Sequence, residues 1–381
     1  MWKDYRRYRV SPLGQLGRGS RYDFGMVGSA RSAFFLLPVV FGVLASAQNQ
    51  PPEPWVLQSS GTKASLRGIH AVAGGVAWAS GTNGTVLRTE DGGYMWQSCA
   101  MPPGAENLDF RGIWAWDANT AIVMSSGPGD LSRLYKTTDG CSSWKLVFTN
   151  PDKDGFWDAM VFSEDKHGSL LGDPVNGEFA FFETFDQGDH WTRDSSRGLR
   201  SGLKEGVFAA SNSSLSEKAL GTEWLFGTGG AAGGRVFQSI NGSSADGLFR
   251  DWMSITVPLG RKSISAGIFS IAFRDDAKHG VAVGGDYKKP NESAGTAAWS
   301  ADGGKTWTAA QKSPHGYRSA VAWDADAKAW IAVGTNGSDV SYDDGKTWSP
   351  LDNGNWNALS LPWVVGPEGR IAKIWPVPKR K

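Results

Sequence analysis

Short, mainly hydrophobic segments alternate with polar, Gly-rich stretches along most of the chain. In one stretch, the hydrophobic segments are LRGIHAV from Leu66, VAWASGT from Val76, TVLRTED from Thr85 and WQSCAMP from Trp96. Gly or Asn-Gly stretches separate them, as the tight turns of antiparallel hairpins require. The pattern therefore predicts a four-stranded antiparallel unit, and no segment of the chain predicts a helix of useful length.

The same unit recurs along the chain at intervals of about 40–60 residues, which is typical of propeller blades. The predicted first strands are LRGIHAV at Leu66, FRGIWAW at Phe110, FWDAMVF at Phe156, GVFAAS at Gly206, GIFSIAF at Gly267, YRSAVAW at Tyr317 and WNALSLP at Trp356. The seventh repeat lacks a fourth strand, and PWVLQSS from Pro54 is predicted to supply it. We therefore expect an all-β fold, a seven-bladed β-propeller of four-stranded antiparallel blades, closed by an N-terminal strand in the last blade.

An eight-residue box lies between the third and fourth strands of most repeats. The copies are TEDGGYMW from Thr89, TTDGCSSW from Thr137, TFDQGDHW from Thr184, SADGGKTW from Ser300 and SYDDGKTW from Ser341, with a degraded copy from Ser239. We expect each Asp to accept backbone N–H bonds, each Gly to adopt a positive φ, and each Trp to pack between blades. These structural residues are Asp91, Gly93, Trp96, Asp139, Trp144, Asp186, Gly188, Trp191, Asp302, Gly304, Trp307, Asp343, Gly345 and Trp348.

The repeated box is interpreted as a joint of the scaffold. Copies at equivalent places around a ring cannot all reach one substrate. A calcium site is the functional alternative, but the box lacks the cluster of carboxylates that Ca²⁺ prefers. Any binding or chemistry is therefore expected on the rim opposite the boxes.

The pattern S/T-x-D-x-G-x-T/S-W resembles the Asp box, or bacterial neuraminidase repeat, of sialidases, xyloglucanases and sortilin-type receptors. From about Trp55 to Trp375 the chain most resembles the secreted seven-bladed propellers of the photosystem II stability/assembly factor family and its relatives in non-photosynthetic bacteria. RGIHAV…AWASGTNGTVLRTEDGG and SAGIFSIAFRDDAKHGVAVGGDYKKP carry this resemblance. It implies a role in assembly or binding, because the photosynthetic members chaperone reaction-centre assembly.

The N-terminal region has the pattern of an export signal. FFLLPVVFGVLA, from Phe34 to Ala45, is too short to span a bilayer, and Ala45-Ser46-Ala47 fits a signal-peptidase site that would leave Gln48 first. Met26 is a more ordinary start than Met1. We expect residues 1–47 to be an N-terminal extension and signal peptide and residues 48–381 one propeller domain, exported to the periplasm or the extracellular space. A retained signal anchor is the alternative.

The overall charge excludes some classes of partner. Lys and Arg number 39 and Asp and Glu 38, so no whole-surface attraction to nucleic acid or anionic lipid is expected. We expect no nucleic-acid partner, no stable membrane span in the mature form, and a monomer. The chain has two cysteines, Cys99 and Cys141, and an exported protein can hold them as a disulfide.

Three arginines suggest a binding site on the rim opposite the boxes. Arg67, Arg111 and Arg318 occupy the same position in the aligned first strands of repeats one, two and six. Loops after second strands add Asp173, Asp286, Tyr287 and Lys288 to the same rim. A group of Arg with nearby Tyr suits a protein partner or another acidic ligand. The alternative is that each Arg pairs with an acid of a neighbouring blade and only stabilises the ring.

A glycoside hydrolase acting on a carbohydrate ligand is the enzymatic alternative. Asp158, Asp173, Glu205 and Asp286 are the available acids, but the sequence does not define their separation. The Arg-Ile-Pro signature of sialidases is replaced by Arg-Gly-Ile at Arg67 and Arg111, and sialidases have six blades. No nucleophile motif, dinucleotide fingerprint or metal-ligand spacing occurs. We therefore expect no catalytic residues, cofactor or metal, and favour a binding protein.

Overall fold

The computed structural model describes residues 54–163, 166–218, 223–244, 247–260 and 263–374. The expected signal peptide, with its alternative start Met26 and its cleavage site, lies outside the described residues. Within them, regular structure consists of antiparallel strands and two single-turn 3-10 helices, Ala73–Gly75 and Gly129–Leu131. No helix in the described ranges is long and apolar enough to cross a membrane.

The strands form seven sheets, numbered here as blades 1 to 7 in chain order. From the innermost to the outermost strand, blade 1 comprises Leu66–Ala71, Ala77–Gly81, Val86–Thr89 and Gln97–Ser98. Blade 2 comprises Phe110–Ala115, Ala121–Ser125, Arg133–Thr137 and Lys145–Thr149. Blade 3 comprises Trp157–Phe162, Gly168–Val175, Glu178–Thr184 and Thr192–Arg193, and blade 4 comprises Leu215–Lys218, Glu223–Gly227, Arg235–Ser244 and Gly247–Thr256.

The remaining three blades follow the same order. Blade 5 comprises Ser263–Phe273, Gly280–Asp286, Ala297–Ser300 and Thr308–Ala309, with two short additional strands, Glu205–Gly206 and Gly229–Gly230. Blade 6 comprises Ala320–Asp324, Ala329–Gly334, Gly337–Ser341 and Ser349–Asp352. Blade 7 comprises Ala358–Ser360, Trp363–Val365, Ile371–Ile374 and, outermost, Trp55–Gln58. The predicted seven-bladed propeller is confirmed.

The N-terminal strand closes the ring, as predicted. Trp55 lies opposite Ile374 and Gln58 opposite Ile371 in an antiparallel pairing. On the inner side, Leu66–Ala71 of blade 1 packs beside Ala358–Ser360 of blade 7. Because the last blade is completed by the first strand of the chain, its third strand is not left as an unpaired edge.

The hydrophobic core is divided into layers between successive blades. In the described residues, seven clusters of buried side chains lie one between each pair of neighbouring blades. The Trp of each box enters such a layer: Trp96 lies between blades 7 and 1, and its Nε1 donates to Gln58 Oε1 at 2.9 Å. The boxes therefore connect blades, because a large aromatic ring from one blade is buried against the next.

The five clear copies of the box share one set of hydrogen bonds. In blade 5, Ser300 Oγ donates to Asp302 Oδ1 at 2.9 Å and accepts from the Gly304 N–H at 2.9 Å. The Thr306 N–H donates to the same carboxylate oxygen at 2.9 Å. The boxes that begin at Thr89, Thr137, Thr184 and Ser341 repeat this arrangement.

The box of blade 2 also carries a disulfide. Cys141 stands where the other boxes have Gly and adopts the same left-handed conformation, with φ 63° against 86° at Gly304. Its sulfur is bonded to that of Cys99, and the two Cα atoms are 5.3 Å apart. Cys99 directly follows the outermost strand of blade 1, so the disulfide links two neighbouring blades.

Blade 4 departs from the sequence prediction. Its first strand is Leu215–Lys218, whereas the segment that begins at Gly206 lies against blade 5 through the pairing of Glu205–Gly206 with Gly229–Gly230. Glu205 holds this segment in place, because its buried carboxylate accepts hydrogen bonds from Arg235 and Thr228. In place of the degraded box, Arg235–Ser244 pairs with Gly247–Thr256, so that the first residue of the box, Ser239, lies opposite its last, Trp252.

Candidate binding site at the channel mouth

A recurrent irregularity in the innermost strands directs side chains into one cavity. In blades 1, 2, 3 and 5 the pairing of the first two strands skips one residue, as in a β-bulge. The skipped residues are Arg67, Arg111, Asp158 and Phe269. All four line a cavity of about 490 Å³, together with Ser319 of blade 6 and Asn357 of blade 7. The bulges therefore converge at the channel mouth opposite the boxes.

Arg67 and Arg111 share one carboxylate. The Nε atoms of Arg67 and Arg111 lie 3.2 Å and 2.8 Å from the two oxygens of Asp109. Arg111 Nη1 also donates to the carbonyl of Ala209 at 3.0 Å. Burial lowers the pKa of Arg67, and the charge of Asp109 opposes this shift. Hydrogen bonds to Asp109 and Ala209 orient the guanidinium group of Arg111, and that of Arg67 is within ion-pair distance of the same carboxylate. Two arginines beside one Asp109 leave an excess of positive charge, and both side chains remain partly exposed.

Arg318, predicted to join these arginines, lies elsewhere. It is fully buried, and its Nε donates to Asp339 Oδ2 at 2.7 Å while its Nη1 donates to Asn336 Oδ1 at 2.6 Å. Because Asp339 belongs to the same blade, this arginine stabilises the interior of blade 6. The prediction of a three-arginine patch is therefore corrected to a pair.

The predicted alignment of blade 6 differs from the structure by one residue. The Leu66 N–H donates to the carbonyl of Gly366 in the preceding blade, and the Arg318 N–H donates to that of Gly284 in its preceding blade. Arg318 is therefore equivalent to the buried Leu66, and Ser319 is equivalent to Arg67. A shift of one residue along a strand moves a side chain to the opposite face.

Two carboxyl groups of blade 3 face the same cavity. Asp158 is buried, and its Oδ2 has no hydrogen-bond partner among the described residues. Asp173 Oδ1 accepts the Val207 N–H at 3.0 Å. Burial raises the pKa of Asp158 well above its ordinary value, and the negative charge of Asp173 adds to this shift. Burial also raises the pKa of Asp173. The mouth therefore combines basic and acidic groups.

Aromatic side chains form another part of the cavity wall. The rings of Phe208 and Phe269 stack with centroids 4.0 Å apart, and Tyr317 meets Phe269 edge-on at 4.8 Å. Tyr287, predicted from the sequence, also lines the cavity and is 48% exposed. Sequence reasoning missed Phe208 and Phe269, although each is an aromatic residue two positions after a glycine in a segment predicted as a first strand, a signal that could have indicated them.

The other predicted residues of this rim lie next to the cavity or outside it. Asp286 accepts the Lys288 N–H at 3.0 Å within the loop after the second strand of blade 5, and Lys288 Nζ lies 5.9 Å from the centre of the Tyr287 ring. Neither Asp286 nor Lys288 is among the cavity-lining residues. Glu205 is also absent from the lining, because its carboxylate is engaged by Arg235 and Thr228.

Comparison with known proteins supports the predicted resemblance. No family model matches the chain. The chain is 28% identical over 272 residues to the photosystem II assembly lipoprotein Ycf48 of Picosynechococcus sp., a match that covers 60% of this chain and 69% of that protein. The resemblance to the photosystem II assembly factor family is therefore confirmed.

Solved structures share the fold. A structure of YCF48 bound to a D1 peptide is 15% identical, with a TM-score of 0.60, and the match covers 85% of this chain and 97% of that one. YCF48 from Cyanidioschyzon merolae is 19% identical, with a TM-score of 0.59, over 84% of this chain and 98% of that one. At these identities the likeness establishes the propeller architecture.

Proposed function

We propose that the protein is an exported, non-catalytic binding or assembly factor that holds an acidic segment of a protein partner at the channel mouth. The observation that carries this proposal is the pair Arg67 and Arg111, which share Asp109 beside an aromatic wall. Binding of a peptide by the structurally similar YCF48 supports a protein partner. The interpretation of the repeated boxes as structural turns agrees with this proposal, because the rim opposite the boxes is then available for binding.

The geometry of the arginines suits a carboxylate of the partner. Asp109 faces the Nε atom of each arginine, so the terminal nitrogens of Arg67 remain available on the cavity side. A planar guanidinium group offers parallel N–H donors that match the two oxygens of a carboxylate. The aromatic rings of Phe208, Phe269 and Tyr287 provide apolar surface for the neighbouring part of the segment.

Export is supported by two independent features. The pattern at residues 34–47 is typical of a signal peptide, and disulfides such as Cys99–Cys141 persist in oxidising compartments. We therefore propose the periplasm or the extracellular space as the location of the mature protein.

Catalysis on a carbohydrate is less well supported by the geometry. Of the candidate acids, only Asp158 and Asp173 line the cavity, and burial raises the pKa of both. Glycoside hydrolysis needs an ionised carboxylate together with a protonated one on either side of the bond. Because the pKa of both groups is raised, neither is favoured in the ionised form that this mechanism needs.

The test starts from the full chain produced with its own leader and purified from the periplasm. N-terminal sequencing is expected to return Gln48. Binding is then measured on an array of acetylated and amidated 12-residue peptides, in which each Asp or Glu peptide has an Asn or Gln counterpart. We expect the acidic peptides to bind about tenfold or more tightly, because a charge-assisted bond to arginine is lost in the counterparts.

The double variant Arg67→Gln/Arg111→Gln is expected to lose this preference. Arg197→Gln is the control, because Arg197 is exposed and does not line the cavity. Circular dichroism and melting curves verify that each variant is folded. Equal binding of acidic and neutral peptides, or an unchanged preference in the folded double variant, would refute the proposed function.

A further inference from the structure

Asp158 is a buried acid whose interactions within the fold are incomplete. Its side chain lines the mouth cavity, and the residue is 1% exposed. Oδ2 has no hydrogen-bond partner in the described part of the chain. Buried polar atoms are nearly always hydrogen-bonded, and an unsatisfied one calls for an explanation. A ligand group that donates to Oδ2 from the cavity would supply the missing bond.

The surroundings of Asp158 indicate that this ligand group is cationic. Asp173 lines the same cavity and adds a second carboxyl group. Arg111, whose charge acts on Asp158, makes its ion pair with Asp109, so no ion pair among the described residues neutralises Asp158 or Asp173. Two neighbouring acids without an ion-pair partner favour a ligand that brings a positive charge.

An organic cation fits this site better than a metal ion. The described residues contain no group of three or more His, Cys, Asp or Glu side chains placed to hold a metal. The cavity is also lined by Phe156, whose carbonyl accepts the Asp173 N–H at 2.9 Å, and by Val207, whose N–H donates to Asp173 Oδ1. Apolar surface of this kind accommodates the aliphatic stem of a lysine or arginine, whose charged head can then reach the carboxyl groups.

We propose that Asp158 and Asp173 form a subsite for a lysine or arginine side chain of the segment bound at the channel mouth. The recognised segment then carries a basic residue close to the acidic residue that Arg67 and Arg111 hold. This inference rests on the proposed function and specifies its partner as a segment with both charges. It also explains why the bulge position of blade 3 carries an acid where blades 1 and 2 carry arginines.

Binding of such a cation is coupled to release of a proton. Burial and the neighbouring Asp173 favour the protonated form of Asp158 in the empty site, and raise its pKa. An ammonium or guanidinium group favours the ionised form, so the proton passes to solvent as the cation enters. Asp173 and Arg111 are the charged groups that act on Asp158 from the second strand of blade 3 and from blade 2.

The test uses the acidic peptides that bind the wild-type protein on the array. Each lysine of a binding peptide is replaced in turn by acetyl-lysine and each arginine by citrulline, which keep the stem and remove the charge. Affinities are measured by isothermal titration calorimetry. We expect one replacement to weaken binding to the wild type by about tenfold or more, because it leaves the acids without a cation.

Variants connect this loss to the two acids. The same replacement is expected to weaken binding to Asp158→Asn or Asp173→Asn clearly less than it weakens binding to the wild type, since one of the two acids that pair with the cation is already absent. Asp326→Asn, at an exposed turn outside the cavity, is the control and should behave like the wild type. If one variant does not fold, the other gives the same comparison.

The outcomes separate this inference from the proposed function. If the acidic preference and its dependence on Arg67 and Arg111 hold, but no basic residue of any bound peptide contributes, the subsite is refuted and the proposed function stands. The subsite would also be refuted if replacing the basic residue of the peptide reduced affinity equally for the wild type and for both acid variants. Loss of the arginine dependence itself would refute the proposed function.

Discussion

A single residue position decides what the innermost strands of blades 1, 2, 3 and 5 contribute to the channel mouth. The position skipped in the strand pairing holds Arg67, Arg111, Asp158 or Phe269, and its side chain enters the cavity. The preceding residue, such as Leu66, is buried between blades. In these four blades the innermost strand therefore contributes one residue to the cavity, while its neighbour belongs to the core.

At this scale we predict a pH-dependent effect of Asp158→Asn on stability. The native pKa of Asp158 is raised above its ordinary value of 3.8 by burial and by Asp173. The folded state therefore retains a proton that the unfolded state releases, and the wild type loses stability as the pH rises from about 4 through the native pKa. Each tenfold difference between the acid dissociation constants of the folded and unfolded states corresponds to about 1.4 kcal/mol of lost stability.

Asn cannot ionise, so the unfolding free energy of the variant relative to the wild type should increase between pH 4 and pH 8. Denaturant unfolding across this range measures the difference. Asp326→Asn, at an exposed position, should show no such trend. If the difference in unfolding free energy between Asp158→Asn and the wild type stayed constant from pH 4 to pH 8, this would contradict the raised pKa of Asp158.

At the scale of single elements, the repeated box is a turn stabilised by its own side chains. In blade 6 the carboxylate of Asp343 accepts the Ser341 hydroxyl at 2.9 Å and the Thr347 N–H at 2.8 Å. The hydroxyl in turn accepts the Gly345 N–H at 3.0 Å. This arrangement satisfies the polar groups of the turn and positions Trp348 between blades 5 and 6.

We predict that Asp343→Ala destabilises the protein by about 1–3 kcal/mol, because it leaves these donors without their acceptor. Chemical denaturation monitored by tryptophan fluorescence measures the change. The matched control is Asp326→Ala in the same blade, whose exposed side chain should contribute less than about 0.5 kcal/mol. Peptide binding at the opposite rim should persist in both folded variants. A loss of binding in Asp343→Ala would argue against a purely structural role.

At the scale of the whole molecule, the two ends of the propeller stabilise each other. Trp55 is 4% exposed, its ring centroid lies 5.9 Å from that of Trp356, and its Nε1 donates to Ser338 Oγ of blade 6 at 3.0 Å. Gln58 Oε1 accepts from Trp96 of blade 1 and from Trp363 of blade 7. The N-terminal strand therefore connects three blades across the closure.

We predict that Trp55→Ala destabilises the propeller by about 3–5 kcal/mol, the usual cost of removing a large buried aromatic side chain. Val56→Ala in the same strand is the control, because Val56 is 53% exposed and should change stability by less than about 0.5 kcal/mol. Thermal unfolding compares the two variants. Similar melting temperatures would mean that closure contributes little to stability.

The sequence alone determined the architecture of this protein. Blade number, four-stranded units and closure by the N-terminal strand all follow from the spacing of hydrophobic segments and boxes. These features repeat locally, and the four strands of blades 1 to 6 pair in chain order, so the incomplete seventh repeat leaves one place for Trp55–Gln58. Arg67, Arg111, Asp173 and Tyr287 were also identified from their places in the repeats, and the structure brings them to one cavity.

Only the tertiary structure decided which side of each inner strand faces the cavity. A bulge or a one-residue shift reverses the direction of a side chain without changing the hydrophobic pattern, so Arg318 was predicted at the mouth but is buried with Asp339. Because the sequence pattern does not determine the direction of these side chains, Phe269 was not predicted in the cavity and Asp158 was given no role in binding a partner. Local pattern specifies the blades, whereas the composition of the site depends on register, which is established by pairing with neighbouring strands and blades.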